Sequence, residues 1–231
     1  DTCLALAERS CAPLAGIDRV MLYVEAEQST FLRLNRARLR QVTAVTQCHA
    51  TLSVVRGRKR LDHTIDLSGR CDEDVARLER LRRALAADLD AVPDDPHLLL
   101  PATVQDTGRE TGDDAGCPAP DLLLDAIASV TGSRAPSAKP LDLVGFHQQG
   151  PCVRGFADSR GQRNWHRVAS FHLEWCLYSH ADPAVRDKAV KSVYAGDQWD
   201  TDAFVQRFER AREQLERLAT PTVRLEPGRV R

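Results

Sequence analysis

From Arg154 to Ser179 the chain reads RGFADSRGQRNWHRVASFHLEWCLYS, and this stretch constrains the fold more than any other. It sets two Gly, four Arg, two His and two of the three Trp around one short turn, Ser159-Arg160-Gly161. Ser and Gly are turn formers, and Gly adopts positive φ without strain. The flanking runs have strand length and strand composition. The spacing predicts successive strands LDLVGFHQQG, PCVRGFADS and NWHRVASFHLEWCLYS, joined at Gly150-Pro151 and at Ser159-Arg160-Gly161.

Such a sheet must bury at least one face. Other stretches supply more strands. RVMLYVEAE alternates Val20, Leu22 and Val24 with Met21 and Tyr23, and STFLRLNRARLRQVTAVTQ continues extended. CHATLSVVRGRKRLDHTIDL reads as two strands about Arg56-Gly57-Arg58-Lys59, where Gly57 supplies a positive φ. Helical spacing marks DTCLALAERSCAPLAG and a helix capped by Asp72 or Asp74. The latter carries Val75, Leu78, Leu81, Leu85, Leu89 and Val92 and stops at Pro93. DLLLDAIASVTG is a third helix, with Gly132 just past its end. A fourth is expected to open at Asp182-Pro183 and run to Gly196, burying Val185, Ala189 and Val193. The last, Asp202 to Ala219, has the stripe Phe204, Phe208, Ala211, Leu215 and Leu218.

The expected fold class is therefore α+β, with antiparallel or mixed sheets flanked by helices. Residues 1–95 form a first strand-helix half and 121–231 a second. Residues 96–120, rich in Pro, Gly and paired Asp, connect them. The shared plan of the halves leads us to expect an internal structural duplication.

The chain has 32 Lys and Arg against 33 Asp and Glu, a net charge of −1. This lacks the basic excess of a nucleic-acid binder, and RLNRARLR (Arg33–Arg40) reads as a charged strand face. No apolar run approaches the ~18 residues of a membrane helix. The seven Cys contain no CxxC pair and suit reduced thiols in a cytoplasmic protein.

No catalytic set assembles from spacing. His166, His172, Glu174 and Cys176 share one strand face, but His166 and His172 stand ~20 Å apart when extended, too far to share an ion. HExxH, HExxxH and GxSxG are absent. Cys152 and Cys176 sit in apolar strand contexts that suit inert core thiols. The Gly155–Gly161 turn lacks the Lys-Ser/Thr ending of a phosphate loop. Two readings of the stretch stand. Its arginines, Arg154 and Arg163 among them, hold a peptide carboxylate or backbone. Alternatively, Arg163 and Asn164 only bond the hairpin while Trp165 and Trp175 fill the core.

GFHQQGPCVRGFADSRGQRNWHRVASFHLEWCLY, followed by DKAVKSVYAGDQWD and LEPGRVR, resembles the TldD/PmbA (TldD/TldE) family. The match is closest from Gly145 to Asp200 and is more like the PmbA/TldE type; RVMLYVEAEQSTFLRLNRARLRQVTAVTQ carries it more loosely. Members were labelled modulators of DNA gyrase and are regarded as zinc metallopeptidase subunits. The resemblance implies an α+β N-terminal region followed by a β-rich C-terminal region. In the TldD-type partner that C-terminal region holds zinc through HExxxH and a Cys. It implies a heterodimer with that partner, or a homodimer, acting on unfolded or leader peptides. Zinc is implied for the full complex, and no cofactor for this chain, which stops at PGRVR where the C-terminal region is expected to begin. The expected role is a substrate-channel or assembly region in which Arg154, Gly155, Arg163, Asn164, Trp165 and His166 line a peptide path or an interface. The alternative is a freestanding, non-catalytic peptide-binding or maturation partner. No nucleic acid and no membrane are expected as partners.

Overall fold

A computed structural model describes residues 2–132, 141–178, 188–218, 220 and 226–228. The elements are α1 (Thr2–Ser10), β1 (Arg19–Asn35), β2 (Arg38–Arg56), β3 (Lys59–Asp66), α2 (Cys71–Asp88), β4 (Asp106–Thr111), α3 (Pro120–Thr131), β5 (Asp142–Asp158), β6 (Arg163–Tyr178), β7 (Ala189–Gly196) and α4 (Thr201–Arg217). The strand order is β3-β2-β1-β5-β6-β4, with β7 also on β6. β2–β3 and β6–β7 are antiparallel, while β4 runs parallel to β6. The fold is α+β, as the sequence predicts, and the sheet is mixed.

The order helix, three strands, helix occurs twice. Strands β3-β2-β1 and β5-β6-β7 mirror each other outward from the β1–β5 pair. β3 pairs with the trailing residues of β2, His49–Arg56, and β7 with the trailing residues of β6, Phe171–Tyr178. This shared strand order is what a duplication requires.

The residues group into two compact units: Asp1–Ser29, Ala44–Asp114 and Gly150–Ser170 in the first, and Thr30–Thr43, Ala115–Gln149 and Phe171–Arg231 in the second. In the first, Val20, Leu22 and Val24 of β1 and Ala50, Leu52 and Val54 of β2 alternate onto one face. They are buried against Leu6 and Ala7 of α1 and Val75, Leu78 and Leu85 of α2. Each fully buried Leu or Val contributes about 1.5–3 kcal/mol. Neither Asp72 nor Asp74 is the N-cap of α2; Arg70 is, without a side-chain bond. Asp74 instead reaches back from inside the helix to accept from Ser68 N, Ser68 Oγ and Gly69 N, each at 3.0 Å.

In the second unit Phe171, Leu173, Trp175 and Leu177 of β6 alternate into a core with Leu123 and Ile127 of α3. Phe204, Phe208, Ala211 and Leu215 of α4 close it, as expected from the sequence, while Leu218, the last of the expected stripe, is the exposed C-cap residue. Aromatic edges interlock there, Phe171–Tyr194 at 5.1 Å and Trp175–Phe204 at 5.7 Å between centroids. Asp200 caps α4 by accepting from Asp202 N and Ala203 N. Gly132, at φ 66°, ends α3 in the left-handed conformation expected of it.

The structure corrects three sequence expectations. Residues 189–196 form strand β7 rather than the end of a helix opened at Asp182-Pro183; the start of that helix lies outside the described residues. Ala189 and Val193, expected to face inward, are exposed, and Val190 and Tyr194 are the buried pair, because pairing with β6 sets the faces of a strand. Gly150-Pro151 is no turn: β5 runs through it, with Gly150 at φ 138°. An added Cβ there would lie 2.1 Å from Gln28 O, so Gly permits a close backbone approach in mid-strand. The connecting segment holds a strand, β4, paired from Asp106↔Arg163 to Thr111↔Val168.

Candidate functional site

In the first unit, the face of β1 and β5 opposite the core carries Tyr23 and Glu25 beside Arg154 and Phe156. Alternation requires this, since Leu22, Val24 and Ala157 point inward. Asp158 N donates to Gln162 O across the turn at Ser159-Arg160-Gly161. Counting back along the antiparallel pair sets Phe156 opposite Asn164 and Arg154 opposite His166. β4 then adds Thr107 beside Asn164 and Arg109 beside His166. The result is a concavity of about 600 Å³ lined by Tyr23, Thr107, Gly108, Arg109, Arg154, Gly155, Phe156, Asn164, Trp165 and His166.

Five of the six residues singled out in the sequence meet here: Arg154, Gly155, Asn164, Trp165 and His166. By alternation Asn164 and His166 present side chains to the hollow, while Gly155 and Trp165 line it from the strand backbone. The Trp165 ring lies over Gly108, where an added Cβ would be 2.3 Å from Nε1. Unlike Trp175, which is 1% exposed in the core, Trp165 is 37% exposed. Arg163 does not line the concavity; its guanidinium is ion-paired with Glu8 and Asp106. It ties α1 and β4 to β6.

The hollow is pre-ordered. Asn164 donates to Thr107 Oγ1 at 2.7 Å and accepts from Gln162 Nε2 at 2.5 Å. Arg154 donates to Glu25 through Nε at 2.9 Å, and that bond raises its pKa further above the usual guanidinium value. Burial, and then the charge of Glu25, push the Tyr23 phenol above its ordinary value, so it remains a hydroxyl donor at neutral pH. Arg109 and His166 make no hydrogen bond or ion pair among the described residues and are available to a ligand.

Tyr23, Phe156, Thr107 and Arg109 were not foreseen as site residues. The alternation of RVMLYVEAE already sets Tyr23 away from the core face and was the available signal. β4 gave none, because DTGRET has no apolar alternation. A second hollow in this unit, about 580 Å³, includes Glu27, Cys48, Ser68, Asp114 and Arg167. Its Arg167 is taken up by Glu110 and Asp114.

The described residues bring together no metal-ligand set, and two of their thiols are held protonated. No group of three His, Cys, Asp or Glu among the described residues could hold a metal ion. Burial, then the charge of Asp158, push the Cys11 thiol up to about 12, and burial also raises Cys152. Both thiols stay protonated and weakly nucleophilic. No helix among the described residues is long and apolar enough to cross a membrane.

No protein-family model matches the chain, and no curated protein does. Solved structures do. TldE from Thermococcus kodakarensis superposes with a TM-score of 0.70 at 10% identity, over 93% of this chain and 46% of that one. A candidate modulator of DNA gyrase from Bacteroides thetaiotaomicron gives 0.60 at 11%, over 93% and 48%. One from Thermotoga maritima gives 0.57 at 11%, over 90% and 45%. The chain has the fold of these proteins and spans about half of their length.

Proposed function

We propose that the chain is the peptide-holding, non-catalytic region of a zinc metallopeptidase subunit of TldD/PmbA type, nearer to PmbA/TldE. The observation that carries this reading is the concavity over β1, β5, β6 and β4, which has fixed polar groups and two uncommitted cationic or polar ones. The fold shared with TldE supports it. An extended peptide lies across the sheet face, over the Tyr23 and Phe156 rings. Asn164, held by Thr107 and Gln162, meets its main chain, and Arg109 and His166 meet its carbonyls or a carboxylate. Contacts to main chain and ring faces tolerate many sequences, as unfolded and leader peptides require. The zinc implied for the complex finds no ligand set among the described residues, so no hydrolytic step is assigned to them. That chemistry belongs to a TldD-type partner in a heterodimer, in the cytoplasm.

The test is fluorescence anisotropy with a labelled, reduced and carboxymethylated protein fragment as an unstructured peptide. Arg109→Ala/His166→Ala should weaken binding about tenfold, a usual cost of losing two interface contacts, without moving the melting temperature. Equal binding by the double variant would overturn the reading.

A further inference from the structure

Between Gln28 and Leu61 lie eight basic residues and no Asp or Glu. The remainder of the chain carries 32 − 8 = 24 basic residues against all 33 acidic ones. Four of the eight, Arg56, Arg58, Lys59 and Arg60, are occupied by Asp90, the Asp95 and Pro96 carbonyls, the Asp90 carbonyl and Asp62. The other four, Arg33, Arg36, Arg38 and Arg40, sit about the β1–β2 hairpin tip in the second unit, exposed and without an ion pair or hydrogen bond among the described residues.

The hairpin tip is anchored at Ala37. Arg36 and Ala37 both take left-handed backbone, at φ 52° and 54°. Ala37 is buried, and its N–H donates to Leu143 O at 2.9 Å. Beyond it every residue of Arg38–Thr43 is exposed, on both strand faces, with Leu39 and Val42 among them. β3 begins pairing with β2 only at His49. Among the described residues no strand occupies that side of Arg38–Thr43. Unpaired edges are normally covered or twisted away.

The molecule contains a template for what such an edge accepts. In the repeated strand order β6 corresponds to β2. The leading part of β6, Arg163–Val168, carries an added parallel strand, β4. That strand is acidic where β6 is basic: Asp106 pairs with Arg163, and Glu110 with Arg167.

We propose that Arg38–Thr43 of β2 docks an acidic, extended segment of a partner protein as an added strand. Its carboxylates meet Arg38 and Arg40, and the apolar residues between them, on the other strand face, cover Leu39. This surface is separate from the concavity and does not depend on its function.

The probe is the peptide acetyl-Thr-Glu-Val-Glu-Val-Glu-Thr-amide, fluorescently labelled. It should bind the intact chain, more weakly as salt rises and the charges are screened. Arg38→Glu/Arg40→Glu should weaken binding about tenfold, as reversal of rim charges does, and a Lys-for-Glu peptide should prefer that variant. A peptide N-methylated on alternate residues should fail to bind in one of its two registers. If the double variant melts early, Arg38→Gln/Arg40→Gln replaces it with the same expectation. Unchanged binding by the variants overturns the proposal. So does equal binding of both N-methylated registers, which would mean charge alone. So does competition by single-stranded DNA of equal charge, which would make the patch a phosphate site.

Discussion

Arg19 and Asp158 meet at 2.6 Å with side chains 1% and 0% exposed. Neither charge is stranded. Arg19 also donates to Pro101 O, and Asp158 Oδ1 accepts from Arg160 N and Gln162 N. The pair thus closes the turn that sets β6 beside β5 and aligns Asn164 and His166. Removing one buried partner leaves the other uncompensated, at about 3–5 kcal/mol. Asp158→Asn should lower stability by that amount in urea unfolding. Asp74 offers a pH signature. Burial alone would raise its carboxyl, but the Ser68 and Gly69 donors, with Arg77, outweigh burial and hold it below the ordinary value. A depressed carboxyl adds stability above its unfolded pKa, about 3.9, and loses it as pH falls through the folded pKa. Asp74→Asn should therefore destabilise by about 1–3 kcal/mol at pH 7. It should also flatten the decline in urea midpoint below pH 4 (about the unfolded value). The sequence marks the turn at Ser159-Arg160-Gly161 but not the ion pair, because Arg19 lies 139 residues away.

At the scale of elements, strain is local and testable. Two-residue hairpins favour left-handed residues such as Asn-Gly, yet β1–β2 turns on Arg36-Ala37. Arg36→Gly should stabilise by about 0.5–1 kcal/mol, because glycine removes the left-handed penalty of 1–2 kcal/mol at some entropic cost. A fall in melting temperature would contradict it. Gly150→Ala should do the reverse. Its Cβ would meet Gln28 O at 2.1 Å, and backbone cannot rotate aside. Strain of this kind costs about 1–3 kcal/mol before any loss of pairing, and thermal unfolding reads it directly. These two sites show what was legible. Gly57, at φ 60°, turns β2 into β3 as its composition suggests. Gly150-Pro151 also carries turn residues yet stays within β5, since a close backbone approach in mid-strand and a turn both select Gly. Likewise α4 was legible because Phe204, Phe208, Ala211 and Leu215 admit only a helix. β7 was not, because Ala189 and Val193 are spaced for a helix face and only the distant pairing with β6 turns them outward.

For the whole molecule, the duplicated strand order explains why the site could be read only in part. The stretch around Ser159-Arg160-Gly161 puts Arg154, Asn164 and His166 together by hairpin pairing alone, which is local and visible in sequence. Tyr23 arrives from β1, and Thr107 and Arg109 from β4, through sheet order that no local pattern encodes. Arg163, equally prominent in the sequence, is drawn off to Glu8 and Asp106 for the same reason. The likeness to TldE and to two candidate gyrase modulators rests on this sheet and its helices at 10–11% identity. The peptide-holding role rests on the hollow itself. Hydrogen exchange of the intact chain with saturating unstructured peptide tests it most directly. The account predicts slowed exchange across Asp106–Thr111 and Arg154–His166, with α4 unchanged. Bound peptide that leaves those two stretches exchanging at their free rates would contradict it.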